Sequence, residues 1–434
     1  MKKNKKVNEN KRRKNINDED KLSKGIDILD KHKIKEELQR QERKGKTVKE
    51  YSEDINKKKK IKSGIKSFIV CIVVVIIFLL IYVVYEYGPF VGISLNKNKV
   101  LDDYKKIDVV TTDQDIYKEY DSQLLIYSNQ IVKTYDANSK VTSEYKLSEA
   151  FNPSIYVNGS YMVIANKIKG IIYLFENKVE ILDKKIDGTI ECVYIDDDGN
   201  IAVEYSTSGI KKIIGVFNKK GDNIYNAYLD SNAVIDIKIL NSAKKLIVAQ
   251  LISNSYTVGV SIKDIDGTKT SDNIKEIVKI DNSMLYNLTI NAGNIIMLFD
   301  DKIINYDMNT QTTNTIKSFD NEQISFVDVL NNYYFSIKAK QNTDNDVNTK
   351  YLCDSNGFDG RSIGSFEIEN LPKYERTGKL ITTLVFQDKI QVINKWGMNI
   401  KTLDVSFPPK DIVIFNNEKS IALIYLNKVY IVNI

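Results

Sequence analysis

The chain has 434 residues, with 63 Lys+Arg against 57 Asp+Glu, 42% apolar residues, three Cys, one His and five Pro. Those figures exclude a collagen-like repeat, a disulfide-stapled miniprotein and a globally disordered chain. The formal net charge of +6 conceals two opposite parts, because residues 1–66 hold 24 Lys+Arg and 12 Asp+Glu, leaving 39 and 45 for the rest.

The basic segment, residues 1–66, mixes Lys, Asn, Glu and Asp with scattered Ile and Leu, too little apolar surface to offset chain entropy. It is expected to be a mostly disordered tail. Within it, Ile26, Leu29, Ile34 and Leu38 are spaced for a short amphipathic helix. No aromatic residue is interleaved with the lysines before Tyr51, so nucleic acid is not expected as a partner.

From Phe68 to Tyr85 run eighteen uncharged residues, FIVCIVVVIIFLLIYVVY, fifteen of them Leu, Ile, Val or Phe. As a helix this run spans about 27 Å, close to a hydrocarbon core of about 30 Å. Residues 67–87 are therefore expected to be a single transmembrane helix. A cleavable signal peptide would have a short leader, a shorter core and small residues at its end. Here the leader is 66 residues long and Tyr-Glu-Tyr-Gly-Pro follows, which points to an uncleaved signal anchor. Lys57, Lys58, Lys59, Lys60, Lys62 and Lys66 flank it on one side. Such lysines stay on the cytoplasmic side and rest on anionic lipid headgroups of the bilayer. The amino terminus is thus expected inside, with a linker at 88–103 and the remainder, 104–434, outside the cell membrane.

From residue 105 the texture changes to short runs of Val, Ile, Tyr and Phe broken by Asn, Asp, Gly and Ser, a strand-and-turn composition. A strong strand recurs eight times, at steps of 38 to 49 residues: QLLIYS (123–128), YMVIAN (161–166), NIAVEY (200–205), KLIVAQ (245–250), NIIMLF (294–299), YYFSIK (333–338), ITTLVF (381–386) and SIALIY (420–425). A weaker strand precedes each copy. Two more follow, joined by a polar turn as in VKTYDANSK, GVFNKKGD and QVINKWGMN. Four strands per roughly 42 residues is the blade period of a β-propeller. The last unit ends at Ile434 after three strands, and the stretch from Lys105 to Thr111 is expected to supply its fourth and close the ring. The fold class is therefore all-β, an eight-bladed β-propeller after one N-terminal transmembrane helix. Seven blades is the alternative if the irregular unit KYERTGKLITTLVF is misread.

The order of basic tail, apolar span and repeated strand, with third-strand endings such as NYDMNT and VFNKKGD, resembles an uncharacterised family of single-pass, membrane-anchored, propeller-like proteins of Gram-positive bacteria, classed as a domain of unknown function. WD40-type repeats are a weaker likeness, because the Trp-Asp and Gly-His signatures are absent. The resemblance implies location and architecture and brings no catalytic residue.

The one histidine, His32, lies in the tail, so a Ser-His-Asp triad, a Cys-His pair and a His-containing metal site are excluded from residues 104–434. Cys71 falls in the apolar run, and Cys192 and Cys353 are expected about four blades apart and unbridged. Asp196, Asp197, Asp198 and Gly199, like Asp264, Asp266 and Gly267, resemble calcium loops without completing the spacing, and read as hairpin turns. No cofactor is expected. The longest insertion, residues 339–350 in unit six, offers Asp344, Asn345 and Asp346 as a ligand-facing loop. The expected function is a non-catalytic binding or scaffold module for an envelope protein, peptide or glycan. The alternatives are an envelope hydrolase or lyase built on paired carboxylates, and a single-pass sensor.

Overall fold

The computed structural model describes Lys33, Glu36, Arg40, residues 72–80 and, between 104 and 434, all residues except 105, 110, 111, 113, 148, 150, 151, 254–256, 320–323, 331 and 341–349. The chain divides into two units, Met1–Tyr85 and Glu86–Ile434. In the first, Lys33, Glu36 and Arg40 are helical, the first two inside the expected amphipathic helix, and residues 72–80 form an exposed apolar helix. Among the described residues no helix is long and apolar enough to cross a membrane. The ends of the expected span, and Lys57, Lys58, Lys59, Lys60, Lys62 and Lys66, lie outside the described residues.

In the second unit, the described residues form thirty-two strands in eight antiparallel four-stranded sheets. Blade one comprises Ile116–Tyr120, Gln123–Ser128, Ile131–Tyr135 and Val141–Lys146, in that spatial order. The recurring strong strand is the second of each blade. It is apolar throughout because both of its faces are covered by neighbouring blades: every residue of Tyr161–Asn166 is buried. The outer strand Val141–Lys146, by contrast, has no buried residue. Burial at about 1.5–3 kcal/mol per large apolar side chain makes the second strands the main source of stability. The resulting core is a series of layers, each shared by two blades: Leu125, Ile155 and Ile164 lie in one, Val163, Ile190 and Val203 in the next.

The ring closes as the sequence requires. Blade eight has Asp411–Ile414, Ser420–Ile424 and Lys428–Asn433, with Lys106–Asp108 as its outer strand. The closing pairs are Lys106 with Tyr430, Ile107 with Val429 and Asp108 with Lys428. Ile107 is buried among Leu124, Ile126 and Val429, which ties the two ends of the repeat together and completes the eighth four-stranded sheet.

Unit seven is a true blade, Tyr374–Thr377 to Asn399–Asp404, despite its irregular sequence. Its first turn lacks a local Asp or Asn cap. Instead, the carboxylate of Glu418 in blade eight accepts the N–H groups of Lys379 and Leu380 (2.6 Å for Leu380), and the Tyr333 hydroxyl of blade six donates to the Gly378 carbonyl at 3.0 Å. Elsewhere the turns between third and outer strands behave as their sequence predicts. The Asn218 side chain accepts from the N–H groups of Lys220 and Asp222, and Asn394 accepts from those of Trp396 and Met398. Gly221 and Gly397 supply the φ of +86° and +87° that these turns need.

Candidate functional site

The up-and-down course of four strands puts the second-to-third turns and the blade-to-blade connections on one face of the ring, the connection face, and all other turns on the opposite face. Around the axis the first strand of each blade touches that of at least one neighbouring blade. What they present to that axis is set by register. The centre of each second strand pairs with one first-strand residue: Lys118 opposite Leu125, Tyr156 opposite Val163, Tyr194 opposite Ala202, Lys238 opposite Ile247, Thr289 opposite Ile296, Asp328 opposite Phe335, Arg376 opposite Thr383 and Val413 opposite Ala422. Seven of these eight equivalent positions are polar or bear a hydroxyl, so a belt of polar side chains rings the axis at mid-height.

The belt is electrostatically uneven. Arg376 pairs with Asp411 of blade eight through Nη2 at 2.8 Å and Nε at 3.0 Å. Lys238 pairs with Asp236 at 2.9 Å, and its ammonium is favoured by that carboxylate and by Tyr156 against the cost of burial. Burial pushes the Asp328 carboxyl up, with the Val329 N–H and Asn287 side chain opposing. Tyr374 and Arg376 reach blade eight, at the Pro409 carbonyl and Asp411. Glu375 between them is therefore turned toward blade six. Phe326, two residues before Asp328 on one strand face, sits among Leu384, Phe386 and Ile393 of blade seven. Asp328 accepts from the Asn287 side chain of blade five at 3.5 Å, and its charge reaches Glu375 of blade seven. Burial, helped by Asp328 and opposed by Arg376, raises Glu375 to about 7.

A second feature sits where the axis opens on the connection face. The first strands of blades three, four, five and six each carry a β-bulge near their start, at Ile190/Cys192, Val234/Asp236, Leu285/Asn287 and Ile324/Phe326. The first strands of the other four blades run in unbroken register. A bulge redirects the extra side chain out of the sheet. The extra residues Glu191, Ile235, Tyr286 and Ser325 are all exposed, Tyr286 at 70%. Ile210, Tyr228, Val258 and Met284 are exposed beside them on the connection face of blades three to five, whereas Ile224 is the one described large apolar residue exposed at the other end of those blades.

The loop expected to face a ligand joins Tyr333–Ala339 to Tyr351–Gly357 in blade six, and its base is closed by the Lys340 N–H donating to the Lys350 carbonyl at 2.8 Å. This places its ends on the connection face. Asp344, Asn345 and Asp346 themselves lie outside the described residues. The two acidic runs are turns: Asp196 accepts the N–H groups of Asp198 and Asn200 at 3.0 and 2.7 Å, and Asp266 accepts from Thr268. Asp264 is an ion-pair partner of Lys245 at 2.8 Å. Cys192 and Cys353 are free thiols in blades three and six, three blades apart where about four was expected, because the repeat steps are unequal.

Sequence reasoning did not isolate the belt or the bulges. The signal for the belt was present as a charged or hydroxyl-bearing residue near the centre of short first strands, in IYKEY, SIYVN and VIDIKIL. The bulges left none, since one extra residue in a weak strand resembles ordinary loop variation.

Eight radial sheets around a polar axis, closed by an amino-terminal strand, define an eight-bladed β-propeller. The chain belongs to the family of unknown function DUF5711, which residues 96–434 match. No curated protein matches it. Among solved structures it is similar to the C-terminal WD40 domain of Sif2, at 12% identity and a TM-score of 0.50, covering 78% of this chain and 99% of that one. It is also similar to BamB from Moraxella catarrhalis, at 12% identity and a TM-score of 0.44 over 76% and 98% of the chains, and to oligogalacturonate lyase in complex with manganese, at 10% identity and 0.43 over 76% and 98%. At these identities the likeness is one of fold alone.

Proposed function

We propose that this propeller is a non-catalytic binding module, held outside the cytoplasmic membrane by the apolar run at Phe68–Tyr85, that grips an extended segment of an envelope protein across its connection face. The observation that carries the reading is the coincidence of four consecutive bulged inner strands with the exposed Ile235, Met284 and Tyr286 at the same mouth. Two of the four bulges turn an apolar side chain, Ile235 or Tyr286, into solvent, where it adds nothing to stability, and exposed apolar patches mark interaction surfaces. A photocrosslinker placed at position 286 should capture the partner in whole cells, and one at position 179, on the opposite face, should not. Equal capture from both would end the reading, and protease added to whole cells that spared residues 104–434 would end its topology.

A second reading has its own support in Glu375, raised to about 7 by burial and by the charge of Asp328. A carboxyl titrating near neutrality suits general acid or base work. Turnover of cell-wall sugars or peptides by the full chain, lost in Glu375→Gln and Asp328→Asn, would establish it over the binding reading.

A further inference from the structure

Two turns of the ring are built alike and finished differently. In blade three, Asn218, Lys219, Lys220, Gly221 and Asp222 join the third strand to the outer one, and in blade seven Asn394, Lys395, Trp396, Gly397 and Met398 do the same. In each, the Asn side chain accepts the N–H groups two and four residues on, and the Gly N–H donates to the Asn carbonyl at 2.9 Å. The turn is therefore made by Asn and Gly, and blade three forms it with no apolar residue. Yet where blade three has the exposed Lys220 and Asp222, blade seven has Trp396 and Met398, each 39% exposed. Trp396 is the one tryptophan of the chain. Gly364 of blade six, at which any side chain would collide with the Trp396 backbone, lets the turn seat against that blade. The apolar pair thus stands at the outer rim of the face opposite the connection face, held by the ring without being buried in it.

The side chains around the pair are cationic. The Lys395 ammonium lies 4.9 Å from the Trp396 ring centroid. The turns of blades six, seven and eight on this face also carry Arg361, Lys379 and Lys419. Among the described residues of those turns the carboxylates are Asp359, paired with Arg361 at 3.4 Å, and the buried Glu418, which caps Lys379 and Leu380. On the same face blade three carries instead the run Asp196, Asp197 and Asp198. The chain also enters the ring here: Tyr104 packs on the layer between blades seven and eight, with the Lys401 ammonium of blade seven 5.4 Å from its ring centroid. Residues 88–103 are all that lie between the expected span and Tyr104.

We propose that this rim rests on an anionic lipid surface, with Trp396 and Met398 at the level of the headgroups and the surrounding Lys and Arg side chains over the lipid charges. The inference rests on the membrane anchoring in the reading above and uses residues that reading does not. An indole favours the boundary between water and acyl chains, and Lys and Arg beside it reach back to anionic headgroups. A hairpin tip enters a lipid surface without a complementary groove, whereas a peptide partner needs an edge or cleft to lie along. The connection face then points away from the bilayer, where a partner reaches Tyr286.

Because Trp396 is the one tryptophan, its emission reads this rim alone. The full chain is reconstituted into phosphatidylcholine vesicles, with and without phosphatidylglycerol, that carry brominated acyl chains as quencher. With phosphatidylglycerol present, Trp396 should be quenched about twofold or more beyond a reporter placed by Tyr286→Trp in a Trp396→Phe background, and the excess should fall by about half in phosphatidylcholine alone or in high salt. Met398→Asp, which copies the blade-three turn, should reduce the quenching and leave the unfolding midpoint unchanged. Equal quenching at positions 396 and 286, quenching indifferent to lipid charge, or a Trp396 emission that shifts with a soluble acidic peptide and not with vesicles would overturn the proposal. So would a lowered midpoint in Met398→Asp, which would show that the pair serves the ring. If the chain incorporates into vesicles and Trp396 stays unquenched, this inference falls while the anchoring stands; a chain that does not incorporate overturns both.

Discussion

Blades three to six and blades seven, eight, one and two share one strand pattern and use it for different ends. In the first group the inner strands, Thr189–Ile195, Val234–Leu240, Leu285–Asn291 and Ile324–Val329, run six or seven residues and are bulged. In the second, Tyr374–Thr377, Asp411–Ile414, Ile116–Tyr120 and Ser154–Asn158 run four or five and are regular. The regular half contains what holds the ring shut: the Lys106–Asp108 strand, the Glu418 cap on blade seven and the Tyr120 bond to blade two. The bulged half turns Ile235 and Tyr286 outward at its bulges, while the regular half exposes Ile168, Phe407 and Leu426 from loops on the same face. Closing a ring demands strands that match at both edges, so departures from register are tolerated where closure does not depend on them.

The largest expected effect comes from breaking the regular half at its closure. Ile107→Asp puts an unpaired carboxylate into the layer between blades eight and one, and should cost about 3 kcal/mol or more, read as a lower midpoint in denaturant unfolding. An unchanged midpoint would show that the amino-terminal strand is dispensable. Glu418→Ala comes next. It strands the Lys379 and Leu380 N–H groups in blade seven and should cost about 1–3 kcal/mol, with hydrogen exchange rising first at those two amides.

A smaller effect depends on pH. Glu375 is raised from 4.5 to about 7, and Asp328 and Glu418 are raised as well, burial leading in each case. At these three carboxyls the folded state therefore holds more protons than the unfolded state over the range between the two pKa values. This contribution to stability is fully present below the unfolded carboxyl pKa and is lost as pH rises through the folded value, for Glu375 between about 4.5 and about 7. The unfolding midpoint should rise on acidification from pH 8 to pH 5, and the rise should shrink in Glu375→Gln. A midpoint that falls over that range, equally in both proteins, would contradict the assignment. The smallest effect on stability belongs to the bulged half: Tyr286→Ala should change it by less than about 0.5 kcal/mol, since the ring is 70% exposed. The same change should weaken capture of the partner at least tenfold, whereas Val179→Ala should leave capture unaltered.

Much of this architecture was legible in the chain. The second strands announced themselves because a strand covered on both faces must be apolar at every position, and YMVIAN or NIIMLF admits little else. The closing strand was legible by arithmetic, since the repeat ends one strand short at Ile434. The turns were legible because Asn218 and Asn394 perform a local chemistry that needs no tertiary partner. The irregular turn of blade seven was not, because its cap, Glu418, comes from another blade.

By itself, then, the sequence determined the strand type, the repeat period and the manner of closure, which depend on periodicity and on contacts within one blade, while the structure decided for eight blades over seven. Tertiary structure alone decided which residues share the axis. Lys118, Lys238, Asp328 and Arg376 are separated by tens to hundreds of residues, and become one belt because cross-strand register carries the centre of every blade to the same height. The pairing of Arg376 with Asp411, the cap that Glu418 places on blade seven and the outward turn of Tyr286 arise from side-chain direction between blades, which no local pattern encodes.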